Sequence, residues 1–459
     1  MLITSLSIRG FRSIRELTME NMGRAVILYG QNGAGKSNIL AALGVLFRAL
    51  GELASRSGPI HAEGAVEVPG ILSVDDFMLN GDRALSVSVR LESPRSDLAD
   101  VLPLKIAALR GLELAISALL PPVGAPRLWI SQIAGIRHGR GDSIDLSQLM
   151  HVPMHPDKAD LSTLQRQLGR QLQDDEIARF RNQLQSYLVL NVAKGVLRSI
   201  ADLRRSDVKD EKSRDSADIQ GMLTAGDVRG AFVTAHQHPR PEVRDRFVRL
   251  QNLLTRPPLS LRPFDAVRTG KGEPDIQARV LGGGAVPLNL AGLGTHQLLY
   301  ILSSIVLEPV DIVTLEEPEA HLHAPTSGRA LRRLLVQLLD ERLVNQLFIA
   351  THSNLFDLDP EGYWHVERGE QGTTVERRTD LASIDRDHLY EPGPAKHALE
   401  DVLRLIPQAV VARMPNGDPI TGEEMIRMLQ ADTDEAMEYC QSVVRAAVRL
   451  VRTQDAGKA

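Results

Sequence analysis

Two adjacent glutamates follow a short apolar run in the stretch VDIVTLEEPEAHLH at residues 310–323. The run 312–315 favours a buried strand, so Glu316 and Glu317 are expected at its carboxyl end. Carboxylates placed side by side at such a position repel each other and resist desolvation. The pair is therefore typical of a site that holds a metal ion or orients a reacting water. A solvated strand end is the structural alternative.

A second stretch, GQNGAGKS at residues 30–37, matches the phosphate-loop pattern G-x-x-x-x-G-K-[ST]. The apolar strand AVILY precedes it, and a run with apolar residues at helical spacing follows it. Glycines let backbone N–H groups close around phosphate oxygens, and the helix N-terminus adds a favourable partial charge. We therefore predict a nucleotide site formed by Gly30, Asn32, Gly33, Ala34, Gly35, Lys36, Ser37 and Asn38.

The two stretches suggest complementary roles. Lys36 would neutralise the β and γ phosphates, and Ser37 would ligate Mg²⁺. A phosphate-loop enzyme also needs a carboxylate near the metal and a group that positions the attacking water. Glu316 suits the first role as a metal ligand, through a metal-bound water, and Glu317 suits the second as general base or water-orienting group.

These segments resemble those of ABC-type ATPases of the RecF, SMC and OLD group. LEEPEAHLH is similar to their Walker B and D-loop segment, and GFRSI at 10–14 is similar to their N-terminal start. ATHS at 350–353 resembles their switch-histidine segment, which makes His352 the candidate sensor of the γ-phosphate. LAGLGTHQLL at 290–299 resembles a degenerate signature motif, in which Gly292, Gly294 and Thr295 would bind the nucleotide of a partner head. The resemblance implies ATP with Mg²⁺.

The expected fold class is α/β. The resemblance implies an ABC-type P-loop ATPase head, with a mixed sheet and flanking helices, an α-helical insertion and a helical C-terminal tail. Residues 1–95 would form the first part of the head and 96–280 a mainly helical insertion. Residues 281–380 would complete the head, and 381–459 would form the tail. Alternation in ALSVSVRL at 84–91 predicts an antiparallel strand with one solvated face.

Composition sets further limits. The chain has 459 residues, of which 43% are hydrophobic and 24% charged, as in ordinary globular proteins. The net charge of −5 argues against attraction of the whole surface to nucleic acid, although a local basic patch stays possible. The single cysteine, Cys440, excludes an intrachain disulfide and fits a reducing cytoplasm. The most apolar stretch, QLLYILSSIVLEPVDIVTL, contains Glu308, Pro309 and Asp311, so no membrane span is expected.

Three groups of residues have two interpretations each. His321 and His323 could ligate zinc, but packing beside the glutamates is the better account because no acidic or cysteine set completes the site. Arg12 could reach the nucleotide or form a surface salt bridge. The arginines of two segments could bind DNA phosphates or form a solvated helix face, which we favour because acids interleave them; they are Arg204, Arg205, Arg244, Arg246 and Arg249.

The expected partners follow from the resemblance. It extends to stand-alone ATPase subunits of anti-phage systems such as Septu and PARIS, and it implies a homo-oligomer of heads that controls a separate effector, such as a nuclease. Past residue 360 no D-x-D pattern stands at a strand end, so no nuclease activity is expected of this chain. The alternatives are a RecF-like repair ATPase that contacts DNA and a scaffold that ATP locks with negligible turnover.

Overall fold

The structure is a computed structural model of the whole chain. It divides into two compact units, Met1–His352 with Leu358–Thr379, and Ser353–Asp357 with Asp380–Ala459. The residues that the structure describes are 1–55, 65–78, 83–93, 109–137, 143–151, 162–168, 171–193, 196–200, 219–224, 227–256, 259, 261–268, 270, 272–279, 285–287, 293–320, 322, 326–352, 362–378, 408, 410–413, 419–421 and 423–424.

The described strands, numbered in chain order, are β1 Leu2–Phe11, β2 Ile14–Glu20, β3 Ala25–Tyr29, β4 Val66–Glu67, β5 Ala84–Glu92, β6 Leu109–Leu119, β7 Arg127–Arg137, β8 Ser143–Asp145, β9 Leu197–Ile200, β10 Phe264–Arg268, β11 Pro274–Arg279, β12 Ala285–Pro287, β13 Ile312–Glu316, β14 Gln346–Thr351, β15 Tyr363–Gly369, β16 Gly372–Arg378, β17 Val410–Arg413 and β18 Pro419–Thr421. The described helices are α1 Lys36–Ser55, α2 Asp75–Met78, α3 Ser147–His151, α4 Ser162–Leu168, α5 Asp174–Tyr187, α6 Ile219–Thr224, α7 Val228–His236, α8 Pro241–Thr255, α9 Leu293–Val306 and α10 Thr326–Asp340, and a π-helical turn at Leu188–Ala193 continues α5.

A six-stranded sheet in the first unit has the order β16-β15-β3-β14-β13-β9. The strands β15, β3, β14, β13 and β9 are mutually parallel, and β16 is the antiparallel edge. The sequences AVILY, IVTLE and QLFIAT are almost wholly buried. Continuous apolar runs of this kind are characteristic of parallel strands covered on both faces.

A second sheet, of seven strands, is antiparallel throughout, with the order β2-β1-β5-β6-β7-β4 and β8 paired with β7. In β5 buried residues alternate with more exposed ones, which confirms the predicted antiparallel strand with one solvated face. The alternation arises because successive side chains of a strand point to opposite faces. Gln346 of β14 joins this sheet to the parallel one, since its amide accepts from Ile3 N at 2.7 Å and donates to Ile3 O at 2.8 Å.

Helix α1 lies between the two sheets. It contacts β14 and β9 of the parallel sheet, and it also contacts β1, β5, β6 and β7 of the antiparallel sheet. Twelve of its residues are buried, so apolar side chains face both layers. It is long and apolar enough to cross a membrane by length and composition, but 61% of its most apolar window is buried inside the fold. The burial identifies it as a core helix.

The predicted α/β class is confirmed, but the extent of the helical insertion is wrong at its start. Residues 109–119 and 127–137 form β6 and β7, which complete the antiparallel sheet. Leu112, Leu114, Ile116 and Ala118 repeat with the period of two that a strand requires. The first described helix within residues 96–280 is α3, and the strands β9, β10 and β11 lie among the helices of this block. The first turn of α5 contains the three acidic residues Asp174, Asp175 and Glu176.

The predicted helical tail is mostly outside the described residues. Its described part contains two short strands, β17 and β18, which pair antiparallel. The segment MPNGD, residues 414–418, lies between them in sequence. Asn-Gly is a strong hairpin signal because both residues tolerate positive φ. The prediction of a helical tail is therefore wrong for Val410–Arg413 and Pro419–Thr421, which are strands.

Candidate functional site

The glycine loop connects β3 to α1 and lies against the β15–β16 hairpin. A Cβ added to Gly30 would lie 2.1 Å from the carbonyl oxygen of Val366. A Cβ added to Gly35 would lie 2.2 Å from Thr373 Oγ1, and Gly35 also has a φ of +111°. Side chains are excluded at both positions by this close approach, and the φ of Gly35 favours glycine as well. The hairpin therefore requires the glycines at both ends of the loop.

Lys36 begins α1 and is only 5% exposed. Its Nζ donates to the carbonyl oxygens of Gly30 at 2.6 Å and Gln31 at 3.0 Å. Burial lowers the pKa of Lys36 from its ordinary value, and three nearby glutamates, of which Glu317 is the strongest, oppose that effect. The ammonium group is thus held inside the loop, where it adds positive charge to the backbone N–H groups around it.

Ser37 and Glu316 are 279 positions apart in sequence and touch in the fold, because Ser37 Oγ donates to Glu316 Oε1. In the sheet β14 separates β3 from β13, and all three strands are parallel. Their carboxyl ends therefore meet at one edge. Hydroxyl and carboxylate oxygens are the ligand types that Mg²⁺ prefers, so the pair fits the predicted metal role. It also lines a cavity of about 540 Å³ beside α1 and β9.

Glu317 lies directly after β13 in a strained backbone conformation, with a φ of 45°. Its N–H donates to Ala350 O of β14 at 2.8 Å, and this bond holds the turn in place. Non-glycine residues at positive φ cost free energy and cluster at functional sites. Its Oε1 lies 3.6 Å from His352 Nδ1, so the two predicted catalytic residues face each other.

Glu319 belongs to the same cluster, although the sequence analysis assigned it no role. Its side chain is 9% exposed, and its Oε1 lies 4.0 Å from His352 Nδ1. Thr351 Oγ1 donates a hydrogen bond to the same oxygen. Burial raises the pKa of the Glu319 carboxyl, and Thr351 and His352 partly oppose the rise. The signal in the sequence was its position two residues after Glu317, which a proline separates from it.

A buried polar network supports the glycine loop from both sheets. Thr373 Oγ1 donates to Ala34 O at 3.0 Å and lies 2.7 Å from Ser13 Oγ. Asn38 Nδ2 donates to Ser13 Oγ at 2.7 Å. Ala34 is buried, whereas Asn32 and Gly33 at the rim of the loop are exposed. Ser13 and Thr373 support the loop through these hydrogen bonds, and the sequence analysis missed them because hydroxyls on a turn and a hairpin have no distinguishing spacing.

Arg12 forms the salt bridge of one alternative, and a contact with the nucleotide stays a prediction. Its Nε forms an ion pair with Asp76 at 2.8 Å, and its Nη1 donates to Asn38 Oδ1 at 3.3 Å. The guanidinium also lies 5.1 Å from the centre of the Phe11 ring. Arg12 is therefore a salt-bridged residue, and it is also attached to the first turn of α1 beside the glycine loop.

The signature segment is described only in part. Gly294 and Thr295 lie in the first turn of α9 and are half-buried. Gly292 lies outside the described residues. Helix α9 packs against α7, α8 and β9. A nucleotide contact of these residues stays a prediction.

The arginines considered as a DNA-binding group are engaged within the protein where they are described. Arg246 pairs with Glu308 at 3.8 Å and Arg249 with Glu341 at 2.7 Å. Arg244 donates to two backbone carbonyls before α8. Arg204 and Arg205 are outside the described residues. In α8 the helix-face interpretation therefore accounts for the arginines.

The zinc interpretation concerned His321 and His323, which are outside the described part of the chain. Within that part, no group of three or more His, Cys, Asp and Glu side chains is arranged to hold a metal ion. The Ser37–Glu316 pair is of another kind, because phosphate oxygens complete the coordination of Mg²⁺ at phosphate loops.

Two family models match the chain, each over less than half of it. One is described as "AAA domain" and matches residues 5–97, which include the glycine loop. The other is described as "AAA domain, putative AbiEii toxin, Type IV TA system" and matches residues 176–359, which include the signature segment, the glutamates and His352. The two matches therefore contain every site residue that the sequence analysis proposed.

Curated relatives include two DNA replication and repair proteins RecF. The protein from Stutzerimonas stutzeri is 32% identical over 117 residues, and that from a Caulobacter species is 31% identical over 116 residues. These alignments cover 23% and 25% of this chain, and 32% and 26% of the relatives. The chain thus matches about a third or less of their length.

Similar solved structures are heads of SMC proteins. An SMC head bound to the C-winged helix domain of ScpA has a TM-score of 0.47 at 14% identity, with 83% of this chain and 99% of that chain covered. The SMC head domain from Thermotoga maritima has a TM-score of 0.39 at 14% identity, with 82% and 99% covered. The AAA-domain models match the chain on both sides of the site, and the converging glycine loop and glutamates fit a P-loop nucleotide site.

Proposed function

We propose that this protein binds and hydrolyses ATP between two heads and uses the nucleotide cycle to control a separate effector. The observation that supports hydrolysis most strongly is the contact of Ser37 with Glu316, which brings the glycine loop and the glutamate pair together. Because the Ser37–Glu316 contact lies beside Glu317 and His352, the groups proposed to bind the nucleotide and those proposed to react share one edge of the sheet.

Each residue has a distinct part in this proposal. Lys36 neutralises negative charge on the β and γ phosphates, and the loop N–H groups orient them. Ser37 and Glu316 hold Mg²⁺, which supplies positive charge to the phosphate oxygens. Glu317 orients the attacking water and accepts its proton, and His352 contacts the γ-phosphate. Adenine is inferred from the family resemblance, because the residues themselves do not identify the base.

Hydrolysis is tested by measuring phosphate release from ATP and GTP with the wild-type chain and Lys36→Ala. Release from ATP that Lys36→Ala abolishes supports the proposal. Tight ATP binding with no phosphate release would instead support the alternative of an ATP-locked scaffold. Lack of binding by the wild-type chain would contradict both.

The head-to-head arrangement has its own test. If Gly292, Gly294 and Thr295 complete the nucleotide site of a partner head, Lys36→Ala and Gly294→Asp chains should each be inactive alone. A mixture should recover activity, since a mixed dimer has one site with neither change. The recovery should appear only after subunit exchange, which fluorescently labelled chains can verify. No recovery despite exchange would indicate a site contained within one head.

The effector is proposed to be a second protein, such as a nuclease, in anti-phage defence. One matching family model has a description that refers to a putative toxin of a type IV TA system, which is compatible with a multi-component defence role. The RecF relatives favour the second candidate, an ATPase that acts at DNA. DNA binding that weakens steeply with salt would support that candidate. Metal-dependent cleavage of DNA or RNA by the purified chain alone would contradict a separate effector.

A further inference from the structure

Glu319 is a buried carboxylate close to His352, and it lies on the same side of the histidine ring as Glu317. Its side chain is 9% exposed, and Oε1 accepts a hydrogen bond from Thr351 Oγ1. Its other oxygen, Oε2, is buried with no hydrogen-bond partner among the described residues. A buried carboxylate with an unpartnered oxygen is costly. Because the fold keeps this costly group, we expect the Glu319 carboxylate to determine the arrangement of a neighbouring side chain.

The side chain that the Glu319 carboxylate is expected to affect is His352. Two carboxylates face one nitrogen of its ring, Glu317 at 3.6 Å and Glu319 at 4.0 Å from Nδ1. Thr351 precedes His352 in the chain and is fully buried, so the hydroxyl that holds Glu319 belongs to the strand that positions the histidine. The ring itself is 52% exposed. Packing alone therefore holds it weakly, and electrostatic contacts at Nδ1 are needed to orient it.

We propose that Glu319 is a positioning residue for His352. Together with Glu317, it keeps a proton on Nδ1 and turns Nε2 toward the terminal phosphate. The partner of one imidazole nitrogen determines the tautomer and thus the role of the other. The inference rests on the proposed ATPase function, because it specifies how His352 is oriented within that site.

The cluster contains charges from three elements. Glu317 and Glu319 follow β13, His352 follows β14, and Lys36 begins α1. Lys36 is electrostatically coupled to both of these glutamates. Burial raises the pKa of Glu319, whereas the Thr351 hydrogen bond and His352 lower it.

The direct test is the tautomeric state of His352 in the nucleotide-free, full-length protein. ¹⁵N NMR of histidine-labelled protein reports which ring nitrogen has the proton, and the resonance missing from His352→Asn identifies the residue. We expect the Nδ1–H form in the wild type and a larger share of the Nε2–H form in Glu319→Gln. Glu367→Gln, an exposed glutamate of β15, is the matched control and should resemble the wild type. Identical His352 signals in the wild type and Glu319→Gln would overturn the proposal.

A kinetic test separates orientation from general structural damage. Loss of a group that orients a metal-ligating histidine typically costs about 10- to 100-fold in affinity or activity, and we expect a loss of the same order for a group that orients His352. We expect Glu319→Gln to lower kcat by such a factor, with KM for ATP changed less than about twofold. Glu319→Asp keeps the charge and should recover part of kcat. Equal kcat in the wild type and Glu319→Gln would contradict the assignment. A higher kcat in Glu319→Gln than in Glu319→Asp would contradict it as well.

Two further outcomes are distinguishable. If Glu319→Gln does not fold, Thr351→Val removes the hydroxyl that holds the carboxylate, and it should shift the His352 tautomer in the same direction. An unshifted tautomer in folded Thr351→Val would then overturn the proposal. If the wild-type chain hydrolyses no ATP, the proposed function fails, while the tautomer measurement still decides the relation between Glu319 and His352.

Discussion

The two large sheets differ in what they contribute to the site. The parallel sheet provides the glycine loop after β3, the glutamates after β13 and His352 after β14. The antiparallel sheet provides only supporting contacts among the described residues, through Arg12 and Ser13 at the β1–β2 turn. Both sheets are well packed against α1. The sheets differ in strand direction, which is parallel in one and antiparallel in the other.

Strand direction explains the difference. Parallel strands end at the same edge, so residues distant in sequence meet there, as Ser37 and Glu316 do. Antiparallel strands end at alternating edges and place their turns on opposite sides. The antiparallel sheet is thus suited to support α1 and the loop, and the parallel sheet is suited to concentrate reacting groups.

The largest expected effect is at the edge of the parallel sheet. Glu317→Gln should keep ATP binding but lower hydrolysis by about 10²- to 10⁴-fold, because an amide does not accept a proton from water. Single-turnover phosphate release and ATP titration measure the two properties. Glu316→Gln is the comparison and should weaken binding that depends on Mg²⁺. Normal hydrolysis by Glu317→Gln with loss in Glu316→Gln would show that the roles are reversed.

Lys36→Ala should lower ATP affinity by at least about 30-fold, since charge-assisted hydrogen bonds contribute about 2 kcal/mol or more. Isothermal titration with ATP and Mg²⁺ measures the change. Arg15→Ala removes an exposed cation from β2 of the antiparallel sheet and should leave affinity unchanged. Equal losses in both variants would indicate a general charge effect and contradict the contrast between the sheets.

Thr373→Val should have a moderate effect, because it removes the hydroxyl that joins the β15–β16 hairpin to the glycine loop. We expect a loss of about 1 kcal/mol in the free energy of unfolding and a several-fold loss of ATP affinity. Chemical denaturation and titration measure both. Thr374→Val alters the exposed neighbour and is the control. Equal behaviour of the two variants would show that the network does not support the loop.

The smallest expected effect is a pH trend in stability. Burial raises the pKa of Glu319 above its ordinary value of 4.5. Between pH 4.5 and the folded pKa, the folded protein therefore binds more protons than the unfolded chain. Stability from this group is present below pH 4.5 and is lost as pH rises through the folded pKa. Glu319→Gln lacks this loss.

The difference in Tm, Glu319→Gln minus wild type, should therefore increase as pH rises above 4.5 through the folded pKa of Glu319. Differential scanning fluorimetry at several pH values measures it. Glu20→Gln, an exposed change on β2, should show no such increase. A difference in Tm that decreases with pH would show that the folded-state carboxylate is stabilised rather than penalised.

Features formed by consecutive residues, namely the phosphate loop and the buried strands, follow from the amino-acid sequence alone. GQNGAGKS between an apolar strand and a helix specifies a phosphate loop because glycine positions and helix start are consecutive in the chain. The apolar runs before Glu316 and His352 specify buried strands for the same reason. The period of two in β6 was also present in the sequence, and the helical prediction for that block overlooked it.

Only the tertiary structure decided which distant groups meet. The contacts of Ser37 with Glu316, of Thr373 with Ala34 and of Glu319 with His352 join different elements, and no local spacing specifies them. They depend on the strand order of the parallel sheet and on the hairpin beside the loop. Strand order is set by how the whole core packs around α1, so a motif identifies the groups of this site whereas the fold determines their partners.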